Sequence, residues 1–242
     1  MRKAIRVLIK QQMPNYRKPA SFLVRESYPL PPYSTVIGMV HAACGFSEYH
    51  PMDISIQGSY ASEISDYATM YNFGIKYDED RHQGKVLNAQ GGYDGINIGP
   101  KSVHLLTDVE LLIHISPNQN EDFDVILKGL TYPKVFLSLG RHEDLINIIE
   151  VCIVDLYDEY EYEEIEQDSI TLKYDMYVPV DRTASDYAGT VYNLSKVFSV
   201  DKKSKLRNWK DIVQVRHFKC ADSISGRDIY FDDEKKVPVV FV

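Results

Sequence analysis

Three prolines within four positions, running straight into a helix-forming segment, constrain this chain most. The stretch reads Ser27-Tyr-Pro-Leu-Pro-Pro-Tyr-Ser-Thr-Val-Ile-Gly-Met-Val-His-Ala-Ala-Cys-Gly45. Pro29, Pro31 and Pro32 fix φ and push their predecessors out of the α region, so the approach is extended and stiff. Ser34 suits an N-cap and Gly45 a C′ position, which predicts a helix over Thr35–Cys44. Upstream, Arg2, Lys3, Arg6, Lys10, Arg17, Lys18 and Arg25 occur with no acidic residue among them, in a chain of net charge −8. A basic strand leading into a helix N-terminus brings cations and free backbone N–H groups together, which makes an anion site.

The remaining pattern predicts an α+β fold. Lys3–Met13 alternates as a strand, and Asp53–Tyr60 reads as a second. Val103–Ser116, dense in Val, Leu and Ile, is the strongest strand. Glu121–Leu127 predicts a short helix capped by Asn120 and ended by Gly129, and Leu145–Leu156 a last β-branched run. The order β-α-β-β-α-β is that of a ferredoxin-like unit, the RNA-recognition topology. Between its second and third strands lie about 40 residues, more than a hairpin needs, so residues 61–101 are predicted to project as an arm rich in tyrosine and glycine. The acidic run from Asp155 to Asp168 marks a boundary, giving a domain over 1–158 and a small β-rich C-terminal domain over 169–242.

Composition excludes several classes. Cys44, Cys152 and Cys220 are too few and too scattered for a zinc cluster, and they fit a reduced, cytoplasmic chain. No apolar run is long enough to span a membrane, and no phosphate-loop, nucleophile-elbow or metalloprotease motif occurs. No metal or cofactor is expected. His41, near the helix C-terminus, and the scattered His82, His104, His142 and His217 give no catalytic spacing. Gly38 is costly in a helix interior, by about 1 kcal/mol relative to alanine, and calls for a close neighbour. Tyr16, Tyr28 and Tyr33 interleave with Lys18 and Arg25, the mixture that single-stranded RNA binding uses. Gly140 lets the backbone turn sharply, beside Arg141 and His142 as donors.

Pro31-Pro32-Tyr33-Ser34-Thr35-Val36-Ile37-Gly38-Met39, with Tyr132-Pro133 and Leu139-Gly140-Arg141-His142-Glu143-Asp144-Leu145, resembles the fifth CRISPR-associated protein family of the RAMP superfamily. The likeness is greatest to its type I-B branch. That resemblance implies a ferredoxin-like core with a protruding thumb and a small C-terminal domain. It further implies a subunit of a type I Cascade complex that binds the 5′ handle of CRISPR RNA. Such a subunit caps the row of backbone subunits, docks the large subunit, and meets target DNA only through the complex. RNA contact carries over to Tyr33, Ser34, Gly140 and Arg141; Lys18, Arg25 and His142 join them on charge and position. One branch of the family cleaves the CRISPR repeat with Tyr, Lys and His and no metal. No segment here matches that set, so the chain is expected to be non-catalytic, the alternative being a metal-independent endoribonuclease.

Overall fold

The structure is a computed structural model that describes residues 2–21, 24–158, 169–183, 187–201, 203–225 and 227–242. In chain order the first half holds β1 (Arg2–Gln11), β2 (Val24–Arg25), α1 (Tyr33–Cys44), β3 (Met52–Ser59), β4 (Ser62–Lys76), β5 (Gly84–Leu87), β6 (Tyr93–Thr107), β7 (Val109–Pro117), α2 (Asn120–Thr131) and β8 (Asn147–Asp158). The second half holds β9 (Ile170–Thr171), β10 (Asp175–Pro179), β11 (Thr190–Val200), β12 (Arg207–Phe218), β13 (Ser223–Ile224), β14 (Ile229–Asp232) and β15 (Val237–Val240). The architecture is α+β and dominated by sheet. No helix among the described residues is long and apolar enough to cross a membrane.

One nine-stranded sheet, in the order β11-β12-β10-β3-β7-β1-β8-β14-β15, organises the molecule. Its centre is antiparallel: Val7 pairs with Ile113 on β7 and with Val151 on β8. The alternation in β1 sends Ile5, Val7 and Ile9 into a core shared with Ile54, Ile56, Ile113 and Ile115. The helices α1 and α2 close that core with Val36, Val40, Ile126 and Leu130. Segment 169–242 extends this sheet at both edges and also has a core of its own around Met176, Phe218 and Phe231. Of the acidic run, residues 159–168 lie outside the described residues. The last residue returns to the middle of the sheet, where Val242 and Ile54 exchange backbone hydrogen bonds of 3.1 Å.

Three sequence expectations are corrected here. Val103–Ser116 is not one strand: Asp108, at φ 49°, breaks it into the end of β6 and the start of β7. Neither helix is capped by the expected side chain; α1 begins at Tyr33 after Pro32, and α2 begins at Asn120 after Gln119, without side-chain caps. The fixed φ of Pro32 pre-sets the first turn of α1, and its carbonyl accepts from Thr35 N at 3.0 Å. Gly129 does not end α2 but lies inside it. A Cβ there would meet Cys44 Sγ at 2.9 Å and the Ala43 backbone at 3.2 Å, so this glycine sets the close approach of α2 to α1. Gly45 does end α1, at φ 71°.

The arm is a separate four-stranded sheet in which β4 and β6 pair from Ser62–Thr107 out to Lys76–Asp94. β5 adds to the outer part of β6, and β2 pairs with its inner part at Val24–Ser102 and Arg25–Val103. Nearly every side chain of β4 is exposed, including Tyr67, Tyr71, Phe73 and Ile75.

Candidate nucleic-acid interface

The acid-free basic segment is not an exposed cationic patch. Arg2 pairs with Asp53 at 2.6 Å, Lys10 with Glu110 at 3.2 Å and Lys18 with Glu26 at 3.1 Å. Arg6 is 3% exposed and donates to Asp232 at 2.9 and 3.0 Å, to Glu150 at 2.9 Å and to Glu234 at 2.7 Å. Register sets Glu110 opposite Lys10, and the strand order brings Asp53, Glu150 and Asp232 within reach of Arg2 and Arg6 from far along the chain, which local charge counting cannot show.

Surface chemistry gathers instead in a groove of about 680 Å³ between α1, the loop before β8 and the β11–β12 hairpin. Ser34 and Gly38 of α1 line one wall, and Gly140 and Phe136 line another. Arg17, Arg207 and Trp209 complete it. Ser34 Oγ lies 3.1 Å from Ser195 Oγ, which fastens α1 to β11. Gly38 is exposed, and a Cβ there would meet nothing within 4 Å. The close neighbour that a mid-helix glycine calls for is therefore not supplied by the described residues, and the space lies in the groove. Phe136 is 94% exposed, an aromatic plane with no apolar cover.

Gly140 earns its place by geometry. At φ 114° it adopts a conformation side chains avoid, and a Cβ would stand 2.7 Å from Asp144 Oδ2 and 2.9 Å from the Asn15 carbonyl. Asp144 Oδ2 also accepts from Asn15 N and Arg141 N, while Gln11 donates to the Leu139 and Asp144 carbonyls, so the loop is locked to the end of β1. Gly140→Ala is expected to cost about 1–3 kcal/mol of stability through backbone strain and the collision. Urea unfolding checks this, and a parent-like midpoint would show that the loop yields.

The predicted site residues do not form one cluster. Tyr33 is a correction: it is fully buried, its ring centroid 6.3 Å from that of Tyr177, and burial pushes its hydroxyl well above the usual tyrosine range. With α1 starting at Tyr33, the first turn aims this ring inward, so it has no face for RNA. Arg141 is the second correction. Its guanidinium binds Asp144 at 2.6 Å, Glu143 at 3.0 Å and the Met13 carbonyl at 3.4 Å, and the Asp144 bond leads in raising its pKa. It braces the Gly140 loop rather than offering a free fork.

Arg25 sits at the arm base on β2, with Nη2 3.7 Å from Met70 Sδ and its buried Nε without a hydrogen-bond partner among the described residues. Partial burial and the like charges of Arg25, Arg141 and Arg17 lower the pKa of the nearby Lys101 ammonium. An anion bound among these cations would relieve that repulsion. His142 is 97% exposed and pairs with Glu143 at 2.9 Å. Lys18 faces a different cleft, lined also by Tyr60, His104, Tyr192 and His217. There Glu63 lies 2.7 Å from His104 and Asp175 lies 3.1 Å from His217. These two histidines, scattered in the sequence, are brought to one cleft by the fold.

Ser34 and Gly140 are thus the predicted residues that meet in the groove. Phe136, Trp209, Arg207, Arg17 and Lys101 were not singled out as site residues. The segments Tyr132-Pro-Lys-Val-Phe and Arg207-Asn-Trp-Lys carry a readable signal, aromatic residues beside cations.

Residues 4–203 match the family model described as CRISPR-associated protein (Cas5). Comparison with the curated proteins gives no match. Among solved structures, a chain titled CRISPR RNA-guided surveillance complex is similar at TM-score 0.57 and 19% identity, over 93% of this chain and 91% of that one. A CRISPR protein from Archaeoglobus fulgidus is similar at TM-score 0.46 and 11% identity, over 98% of each chain.

Proposed function

The chain belongs to the CRISPR-associated Cas5 family, and from that premise we propose that it is a non-catalytic, RNA-binding subunit of a type I Cascade surveillance complex. In this reading it holds the 5′ handle of CRISPR RNA, caps the row of backbone subunits and docks the large subunit. The strand order β8-β1-β7-β3, with α1 and α2 packed on it, supports reading the centre as ferredoxin-like and the β4–β6 arm as a thumb. The observation that carries the proposal is the groove. Its exposed Phe136 and Trp209 offer stacking planes, Arg17 and Arg207 offer cations, and Gly38 leaves room for a base or sugar.

Phe136→Ala is expected to weaken handle-RNA binding by about 1–3 kcal/mol, the worth of one stacked base, without changing stability. Gly38→Leu is expected to fill the groove and weaken binding while leaving the helix at least as stable. Fluorescence anisotropy with a handle oligonucleotide, alongside thermal unfolding, separates the two effects. Parent-like affinity in both variants would remove the groove from the RNA path.

A second reading, a metal-independent endoribonuclease, draws on the cleft where His104 and His217 each face a carboxylate beside Lys18 and Tyr60. Two such histidines could serve as base and acid while a 2′-hydroxyl attacks the phosphorus. A non-catalytic subunit leaves repeat RNA uncut in chelator. A single cut leaving a 2′,3′-cyclic phosphate, lost in His104→Ala and His217→Ala, would establish the enzyme instead.

A further inference from the structure

The β11–β12 hairpin is only half built into the main sheet. β12 pairs with β10 from Val215 to Phe218, whereas Ser195–Val200 and Arg207–Ile212 pair, among the described residues, only across the hairpin. A two-stranded ribbon is marginal by itself, and this one is held by stacking. Phe198 and Trp209 meet edge to face with centroids 5.5 Å apart, and the Arg207 guanidinium lies 4.6 Å from the Phe198 centroid. Arg207 and Trp209 also line the groove, so the hairpin continues its wall outward.

The outer end is strongly cationic in an acidic protein. Residues 201–211 hold five cations against two carboxylates. Asp201 is occupied by its own turn, accepting from Lys203 N at 3.0 Å, Ser204 N at 2.7 Å and Ser204 Oγ at 2.9 Å. Lys203, Lys205 and Lys210 are exposed and make no ion pair among the described residues. The contrast with β1 is informative, because Arg2, Arg6 and Lys10 there each face a carboxylate. Uncompensated like charges on a slender ribbon repel one another, and a polyanion relieves them.

We infer that the hairpin is a backbone clamp, in which Lys203, Lys205 and Lys210 hold phosphates of the RNA strand where it leaves the groove past Trp209. This rests on reading the groove as an RNA site. The ligand chemistry is the phosphodiester backbone of single-stranded RNA, held without reading its sequence.

The test compares three forms of the full chain: parent, Lys203→Gln with Lys205→Gln and Lys210→Gln, and Phe136→Ala. Affinity for a single-stranded RNA is measured across a salt series. The triple variant is expected to bind more weakly at low salt, with a log–log slope shallower by about 2, from about 0.7 per phosphate neutralised. Phe136→Ala is expected to keep the parental slope and lose affinity at every salt concentration. A parental slope in the triple variant, with Phe136→Ala weakened, overturns the clamp and leaves the groove standing. A shallower slope with Phe136→Ala at parental affinity supports the hairpin as a backbone site and overturns the groove. No RNA binding by the parent overturns both. Competition by polyglutamate as strong as by RNA, at equal charge, also overturns the clamp, because any acidic polymer would then suffice.

Discussion

Replacing Asp232 with alanine is expected to cost about 3–5 kcal/mol of folding free energy, because it strands buried charge. Asp232 is 1% exposed and sits between Arg6 and His114, whose Nε2 lies 2.9 Å from Oδ2. Without the carboxylate, the buried Arg6 keeps, among the described residues, only Glu150 and Glu234, and His114 loses its ion-pair partner. Urea unfolding at neutral pH measures the loss. A cost below about 1 kcal/mol would mean that the site relaxes and that the clip between β1, β7 and β14 carries little of the stability.

The same centre fixes an acid sensitivity. Burial opposes the Asp232 charge, but hydrogen bonds from His114 and Arg6 outweigh it and hold the carboxyl well below the usual carboxylate range. Its contribution is complete above the unfolded value of about 3.9 and drains away as pH falls from there towards the depressed native value. Burial also lowers His114 below its ordinary value, against the pull of Asp232 and with help from the Arg6 charge. The unfolded chain therefore takes up that proton first, and stability declines as pH falls below about 6.5. Both groups act in the same direction. His114→Gln, which can still donate to Asp232, is expected to flatten the decline that begins below about pH 6.5 while leaving the steeper loss below about pH 3.9. An unchanged profile would assign the decline to other groups.

Cutting the arm back is expected to separate folding from assembly. Asn72 pairs with Asn97 just before the register shift in β4, so residues 73–96 can be replaced by a Gly-Ser turn that joins the two strands. The arm sheet meets the remainder through the inner part of β6 and β2, and both are kept. Shortening a connection changes closure entropy by only about 0.6 kcal/mol per twofold change in length. The variant is expected to unfold within about 1 kcal/mol of the parent, yet to be recovered with the other subunits and CRISPR RNA at least tenfold less. The reason is surface: Phe73, Ile75, Val86, Leu87 and Tyr93 are exposed apolar side chains on a structure too thin to bury them itself. If the variant unfolds, the arm supports the core; if it assembles normally, it is not a thumb.

What the sequence made legible follows from which interactions are local. Alternation placed Ile5, Val7 and Ile9 on the buried face of β1, and the proline approach with Gly45 located α1 to within two residues. What it concealed was set by distant partners. Within Val103–Ser116 only the weak signal of Thr107-Asp108 marks the left-handed turn where β6 gives way to β7, because Val103–Leu106 and Val109–Ile115 on either side are both dense in Val, Leu and Ile. Gly129 looked like a helix stop until the approach of α1 gave it a different use. The seven early cations looked free until the fold set carboxylates from residues 53, 110, 150 and 232 against three of them, Arg2, Arg6 and Lys10. The groove was half visible: Ser34, Gly140 and the loop that carries Phe136 belong to it, whereas Trp209 reaches it only because the distant β11–β12 hairpin folds back beside α1.

The pairing of Arg6 with Asp232 spans 226 residues, and that separation sets a schedule. At a synthesis rate of about 5–20 residues per second, roughly 10–45 s pass between the appearance of the cation and of its carboxylate. Through that interval β1 can meet β7, and later β8, but cannot bury Arg6 beside Asp232. The nascent chain therefore carries a hydrated guanidinium on what becomes its central strand, and the middle of the sheet can become dry only late.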